Sequence, residues 1–300
     1  MVTEEFSPGF DRIVSDQATV ELVAGGFIFT EGPVWNGRDG YLVFTDIIGD
    51  AIHKWEPGKG ISVLISPSGK ANGMTYDREG RLVVAGWGNR TVWRVEHDGS
   101  ANALVSHYRG QKLNTSNDIV VKSDGFIYFT DPSGGLTNVG MHGEDVQKYL
   151  DYEGVYRLDP DNGTMTLLID DMEGPNGLCF SPDESLLYVN DSRRRLIRVW
   201  DVQPDGTLSN GRLFAEVVGD DLGNPDGMKV DAEGNVYCTG PGGVWMLDPG
   251  GKPLGRIRTP EQCANFVFGG SDLKTIYFTA RTSVYRTRVN IPGIPTYPAR

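Results

Sequence analysis

Glu31, Asn72, Asn117, Asn176 and Asp226 stand at one repeated place in the chain, each opening a short strand pattern. Thr30-Glu31-Gly32-Pro33-Val34-Trp35 leads into the alternating run Tyr41 to Asp46. Asn72-Gly73-Met74, Asn117-Asp118-Ile119, Asn176-Gly177-Leu178 and Asp226-Gly227-Met228 lead into similar runs. A looser sixth copy begins at Ala264-Asn265-Phe266, and its register is open between Ala264 and Asn265. If these positions converge, two carboxylates and up to three carboxamides meet, all of them oxygen donors. Such a set suits a hard cation, Ca²⁺ first, then Mg²⁺ or Mn²⁺. Ca²⁺ takes about six to eight ligands, so three or four protein oxygens leave places for water and substrate. Zinc's usual partners are elsewhere: His53, His97, His107 and His142 fall outside the repeated positions. Asn-Gly and Asp-Gly are also common turn pairs. Five copies in register, with Glu in one and Asp in another, favour the ring over turn chemistry; Asn72 is its weakest member.

The elements that must position these residues repeat as well. After each polar opening comes a strand, then a turn such as Asp77-Arg78-Glu79-Gly80 or Asp231-Ala232-Glu233-Gly234, then a second strand. A third strand follows, and usually a fourth. The second strands begin near positions 41, 81, 126, 186, 235 and 275, so successive spacings are 40, 45, 60, 49 and 40. Four strands per ~45 residues is the arithmetic of a propeller blade. The expectation is an all-β, six-bladed β-propeller, with residues 1–300 as one domain. The last repeat lacks a fourth strand, and the orphan strand pattern at 18–24 can supply it and close the ring. Residues 1–16 read as an N-terminal strap and 290–300 as a Pro-rich tail. The only helical periodicity is near 143–150. The long connection from Asp131 to Gly154 reads as a lid over the channel mouth. In a propeller the first strands line the central channel and run the same way, so their opening residues meet on one rim.

The bulk composition excludes several functions. With 28 Lys and Arg against 40 Asp and Glu, the net charge is −12, which disfavours a nucleic-acid partner or an anionic membrane surface. Cys179, Cys238 and Cys263 form no CxxC pair, so neither a disulfide framework nor a zinc cluster is indicated. No secretory signal or membrane-spanning run is evident, and a cytoplasmic protein is the expectation. There is no GxSxG elbow and no P-loop. Gly134-Gly135 lacks the context of a nucleotide site, and Arg193-Arg194-Arg195 reads as a solvated hairpin tip.

Five motifs together resemble the SMP-30/gluconolactonase/luciferin-regenerating-enzyme family of six-bladed propellers, in a form closest to bacterial gluconolactonases. They are Glu31-Gly32-Pro33-Val34-Trp35; Asn117-Asp118 with Tyr128-Phe129-Thr130-Asp131-Pro132; Gly174-Pro175-Asn176-Gly177-Leu178; Pro225-Asp226-Gly227-Met228; and Phe268-Gly269-Gly270 before Thr275-Ile276-Tyr277. The resemblance implies one divalent metal at the channel mouth, with Glu31, Asn176 and Asp226 as ligands. It implies Asn117 as a further ligand or substrate contact and Asp118 as a substrate-side residue. One position departs: Thr115 stands where animal sugar-lactonase members have an arginine.

The expected function is a divalent-metal-dependent lactone hydrolase acting on a sugar lactone or a related small lactone. Ca²⁺ is the first choice of metal, with Mg²⁺, Mn²⁺, Zn²⁺ or Fe²⁺ as alternatives. In this reading Asp226 activates water or attacks directly, and Asn117, Asp118 and Asn72 orient the substrate. The alternatives are a non-catalytic ligand- or protein-binding propeller, a metal-dependent organophosphate hydrolase, and a metal-free strictosidine-synthase-like propeller.

Overall fold

In the computed structural model, which describes residues 2–297, six antiparallel sheets of four or five strands follow one another along the chain, with a two-stranded ribbon, His107–Tyr108 and Gln111–Lys112, between the second and third. Their first strands are Thr30–Asn36, Ala71–Tyr76, Ile119–Val121, Pro175–Phe180, Met228–Val230 and Cys263–Gly269. Each packs on the first strand of the next sheet, and the last packs on the first. That closed circuit is a six-bladed β-propeller with the first strands innermost.

The sequence explains the blades simply. Each first hairpin turns where a residue takes positive φ, at Gly40, Gly80, Gly125, Gly234 and Gly270, while the fourth blade uses Glu184. The second strands are apolar on both faces, as in Leu82–Gly86 and Ile127–Asp131, because each is sandwiched between neighbouring blades. The core is accordingly divided. Six apolar clusters fill the six blade-to-blade interfaces, from Val34, Val43 and Ile52 against Ala71 and Val84 to Trp35 and Phe44 against Val267 and Tyr277. The last of these joins blade six to blade one, so the ring is shut by packing as well as by a strand.

That closing strand is Glu21–Gly25, paired antiparallel with Ser283–Arg288. The orphan strand therefore closes the ring as expected, although it starts at Glu21 rather than at residue 18. The strap before it is more structured than its sequence suggested. Thr3–Glu5 adds a fifth strand to blade five by pairing with Pro253–Ile257. A single helical turn, Phe10–Ile13, then buries Phe10, Ile13 and Val14 in the cluster between blades five and six. In the tail, Gly293 bridges to Asp231 and its amide bonds the Leu273 carbonyl. Tyr297 lies over Arg78, and residues 298–300 lie outside the described residues.

The helical expectation near 143–150 is overturned: that segment is irregular, and the one helical piece of the long loop is the 3-10 turn Gly134–Leu136. Side-chain tethers replace helical hydrogen bonds there. The buried Arg90 guanidinium donates to the carbonyls of Leu113, Asn114, Asp145 and Gln147, and Lys112 pairs with Asp145 at 2.9 Å. The Arg193-Arg194-Arg195 run is a turn in which two arginines reach acidic neighbours, Arg193 pairing with Glu153 at 3.5 Å and Arg194 with Glu173 at 3.0 Å. Among the described residues no helix is long and apolar enough to cross a membrane.

Candidate metal centre and active site

Backbone hydrogen bonds between blades settle which residues share a level. The Gly73 amide donates to the Asn117 carbonyl (2.8 Å), and the Gly227 amide donates to the Ala264 carbonyl (2.9 Å). Ala264 therefore occupies the sixth place in the ring of Glu31, Asn72, Asn117, Asn176 and Asp226, and it brings no donor atom. Asn265 sits one level lower, in the layer formed by Gly32, Gly73, Asp118, Gly177 and Gly227. The sixth register, open in the sequence, is fixed by these bonds.

The lower layer explains the repeated glycines. A Cβ on Gly32 would run into the Asn72 carbonyl, and one on Gly177 into the Asp226 carbonyl. Each glycine thus lets the next blade bring its ring residue against the axis. The second strands hold the same carbonyls from outside. Thr45 Oγ1 donates to Asn72 (3.3 Å), Thr130 Oγ1 to Asn176 (2.7 Å) and Asn190 Nδ2 to Asp226 (2.5 Å). An aspartate follows each of these three residues and fastens the loop beside the ring. Asp46 accepts from the amides of Ile28, Phe29 and Gly49, Asp131 from that of Asn114, and Asp191 from those of Glu173 and Arg193. Ser192 Oγ accepts from Asn176 Nδ2 (3.1 Å) and donates to the Pro225 carbonyl (2.6 Å), tying two ring positions together.

All five polar ring residues line one cavity of about 400 Å³. Glu31, Asn72 and Asn117 are buried, while Asn176 and Asp226 keep partial exposure toward the cavity. Phe29, Ile47 and Trp87 form its walls, and Asn138, Val139 and Met141 of the long loop reach its mouth. Lys70 Nζ, at the start of blade two, holds that loop through the Gly140 carbonyl (2.8 Å). The loop therefore does border the site, as the sequence suggested.

Asp118 is placed differently from its expected substrate-side role. It is buried and does not line the cavity. One carboxylate oxygen accepts from the Ile119 amide (2.9 Å), and the other lies 3.9 Å from Lys229 Nζ. The cause is strand geometry: the residue after a ring residue belongs to the next layer down. Asn265 lies against both Glu31 and Asp118 and pulls their carboxyls down, and its Oδ1 accepts from Lys229 Nζ at 3.3 Å. Lys229 and Asn265 were not singled out in these roles. The available signal was that Lys229 is a cation inside a channel-lining strand.

The electrostatics of the ring are lopsided. Burial pushes the Glu31 carboxyl up to about 7, with Asp118 adding to the rise. Burial raises Asp226 well above the usual carboxylate range, and the charges of Glu31 and Asp118 raise it further. Asp118 is raised by burial, against which Lys229 pulls it down. Lys229 is the cation acting on all three. Meanwhile the Oδ1 atoms of Asn72 and Asn176 are buried without a hydrogen-bond donor. Buried acids short of counter-charge beside undonated carboxamide oxygens fit an oxygen-seeking cation. Carboxylates alone do not make the site: among the described residues no group of three or more His, Cys, Asp or Glu side chains is arranged around a metal position. The carboxamides have to contribute. His53 lies apart, stacked on Phe44 and tilted against Phe27.

Thr115 is buried in the base of the long loop. Its hydroxyl donates to the Pro132 carbonyl and accepts from the Gly135 amide. It anchors the loop and does not line the cavity.

Comparison with known proteins gives this geometry a family. The model of the SMP-30/gluconolactonase/LRE-like region matches residues 29–282. A gluconolactonase of Zymomonas mobilis is 34% identical over 314 aligned positions, covering 96% of this chain and 86% of that protein. The crystal structure of a Xanthomonas campestris gluconolactonase superposes with a TM-score of 0.89 at 31% identity, over 96% of this chain and 95% of that one. A structure of an Agrobacterium tumefaciens regucalcin, described as a calcium-binding protein, shares the fold with a TM-score of 0.78 at 18% identity, over 94% and 97% of the two chains. The chain belongs to the SMP-30/gluconolactonase/LRE-like family.

Proposed function

We propose that this lactone-hydrolysing enzyme acts with one divalent cation, Ca²⁺ in the first instance, held by Glu31, Asn176 and Asp226, with Asn117 as a further oxygen donor. The observation that carries the reading is the pair of under-compensated carboxylates, buried Glu31 and partly exposed Asp226, beside the undonated Asn176 oxygen. The gluconolactonase relatives support lactones as the substrate class.

A divalent cation bound there supplies Lewis acidity toward a lactone carbonyl and charge stabilisation for the developing oxyanion. The chain's own residues do the rest. Asp226 is partly exposed to the cavity, so it can take a proton from water or attack the carbonyl carbon directly. Binding a cation makes a carboxylate a weaker base, so its first role is ligand. Asn117 and Asn72 present carboxamides to the same cavity and orient the ring oxygen and carbonyl of the substrate. Asp118 acts from below: it shares the Lys229 cation with Glu31 and Asp226, and it is therefore a positioning residue.

The test is a panel of lactones read by proton release, run with chelated protein and with Ca²⁺, Mg²⁺, Mn²⁺, Zn²⁺ or Fe²⁺ returned singly. Turnover should vanish on chelation and return with at least one cation. Full turnover after exhaustive chelation contradicts the proposal.

A further inference from the structure

The cavity is divided by polarity along its depth. Its floor is the ring of carboxylates and carboxamides. Above the floor the walls are Phe29, Ile47 and Trp87, and the loop adds Val139 and Met141 at the mouth. Val139 is 90% exposed, an apolar side chain held out over a polar site. In that upper zone Asn138 is the one polar side chain among the lining residues. Two neighbouring polar groups are closed to a ligand, one because it is already paired and one because it is buried without a partner. The Thr115 hydroxyl is spent on the loop base, bonding Pro132 and Gly135. The Trp87 indole nitrogen is buried against Gly135, where any larger residue would strike the indole. The wall it forms is fixed by that contact.

We infer that this upper zone makes the enzyme selective for lactones bearing an alkyl or aryl substituent rather than for polyhydroxylated sugar lactones. The inference rests on the lactone reading above and narrows its substrate class. The physical reason is a mismatch of groups. The lactone ester group needs the polar floor. A ring substituent is then directed at the walls and loop, where hydroxyls find few partners and methylenes find apolar surface. Each polar group pressed against such a wall without a partner is penalised, and each buried methylene is favoured. Val139 and Met141 are thus the specificity-determining side chains, and Phe29, Ile47 and Trp87 are the fixed surface they face.

The experiment uses the full chain with its activating cation. It compares kcat/KM for δ-gluconolactone, unsubstituted δ-valerolactone and δ-decalactone, whose five-carbon tail would reach the upper zone. The parent should prefer δ-decalactone to δ-gluconolactone by about tenfold or more. In the double variant Val139→Asn/Met141→Asn, the ratio of δ-decalactone to δ-valerolactone should fall by about tenfold. Both positions lie in an irregular, largely exposed loop, so a normal melting curve is expected for the variant. A parent that prefers δ-gluconolactone, or a variant whose ratio does not move, overturns this inference and leaves lactone hydrolysis standing. No turnover of any of the three with any cation overturns both.

Discussion

The two top layers of the channel share one backbone and differ in what they carry. The upper layer places an oxygen-bearing side chain in five of its six positions, and Ala264 is the exception. The layer beneath is glycine in four of six, and Asp118 and Asn265 are the exceptions. The lower layer is set by the fold: there is no room for a Cβ where the neighbouring ring carbonyl arrives. The upper layer is not needed for closure, since undonated Asn oxygens and buried acids weaken a structure that lacks a cation. Repetition of the lower layer is therefore structural, and the chemistry lies where the upper layer departs from uniformity. Where the lower layer departs from glycine, it supports the upper: Asn265 lies against Glu31 and holds its carboxyl down, and Asp118 faces Lys229.

Substitutions in each layer can break or sharpen that contrast. The largest expected effect is in the upper one. Asp226→Asn should lower kcat by at least ~10²-fold, with its melting temperature close to the parent's. A variant that turns over normally with metal present would show that Asp226 is dispensable. Gly177→Ala should do the reverse. Its methyl meets the Asp226 carbonyl, so stability should drop by roughly 1–3 kcal/mol, and activity should fall only alongside it. Equal melting curves for Gly177→Ala and the parent would undo the steric account of the lower layer.

Lys229→Met probes the coupling between layers. It removes the cation acting on Glu31, Asp118 and Asp226. Without added metal the variant should lose about 1–3 kcal/mol of stability. With saturating Ca²⁺ its melting temperature should recover more than the parent's rises, because ligand binding to the folded state adds stability by mass action. An equal rise in both proteins would mean that Lys229 and the bound cation do not share the same acids. The smallest effect is expected at Asn72, the ring member with least support. Asn72→Ala should cost about threefold to tenfold in kcat/KM, the scale of one hydrogen bond. A loss as large as that of Asp226→Asn would promote Asn72 to a principal ligand.

The fold was legible because its signals are local and repeated. A turn rich in Gly and Asp and a doubly apolar second strand recur six times, a polar strand opening leads five of the six, and the unmatched strand near the N-terminus pointed to the closure. The ring was legible for the same reason: Glu31, Asn72, Asn117, Asn176 and Asp226 share one place in that repeat and line one cavity. Three things were not readable. The sixth register depends on which carbonyl the Gly227 amide meets, and Ala264-Asn265 offers two frames, one apolar and one polar. The segment near 143–150 has helical spacing, but tethers to Arg90 and Lys112 hold it irregular. Asp118 reads as a substrate-side residue by resemblance, and only the layer structure puts it below the cavity. The Thr-Asp and Asn-Asp pairs that hold the ring from outside, Thr45-Asp46, Thr130-Asp131 and Asn190-Asp191, were visible as a repeat, but their targets lie in other loops and blades.

The central claim is that the upper layer, through Glu31, holds one divalent cation. Calorimetric titration of chelated protein with Ca²⁺ tests it directly, with the parent and Glu31→Gln run side by side. The account predicts one site per chain in the parent and at least ~10²-fold weaker binding in Glu31→Gln, while the metal-free variant melts no earlier than the metal-free parent. Equal Ca²⁺ affinity in the two proteins would contradict it.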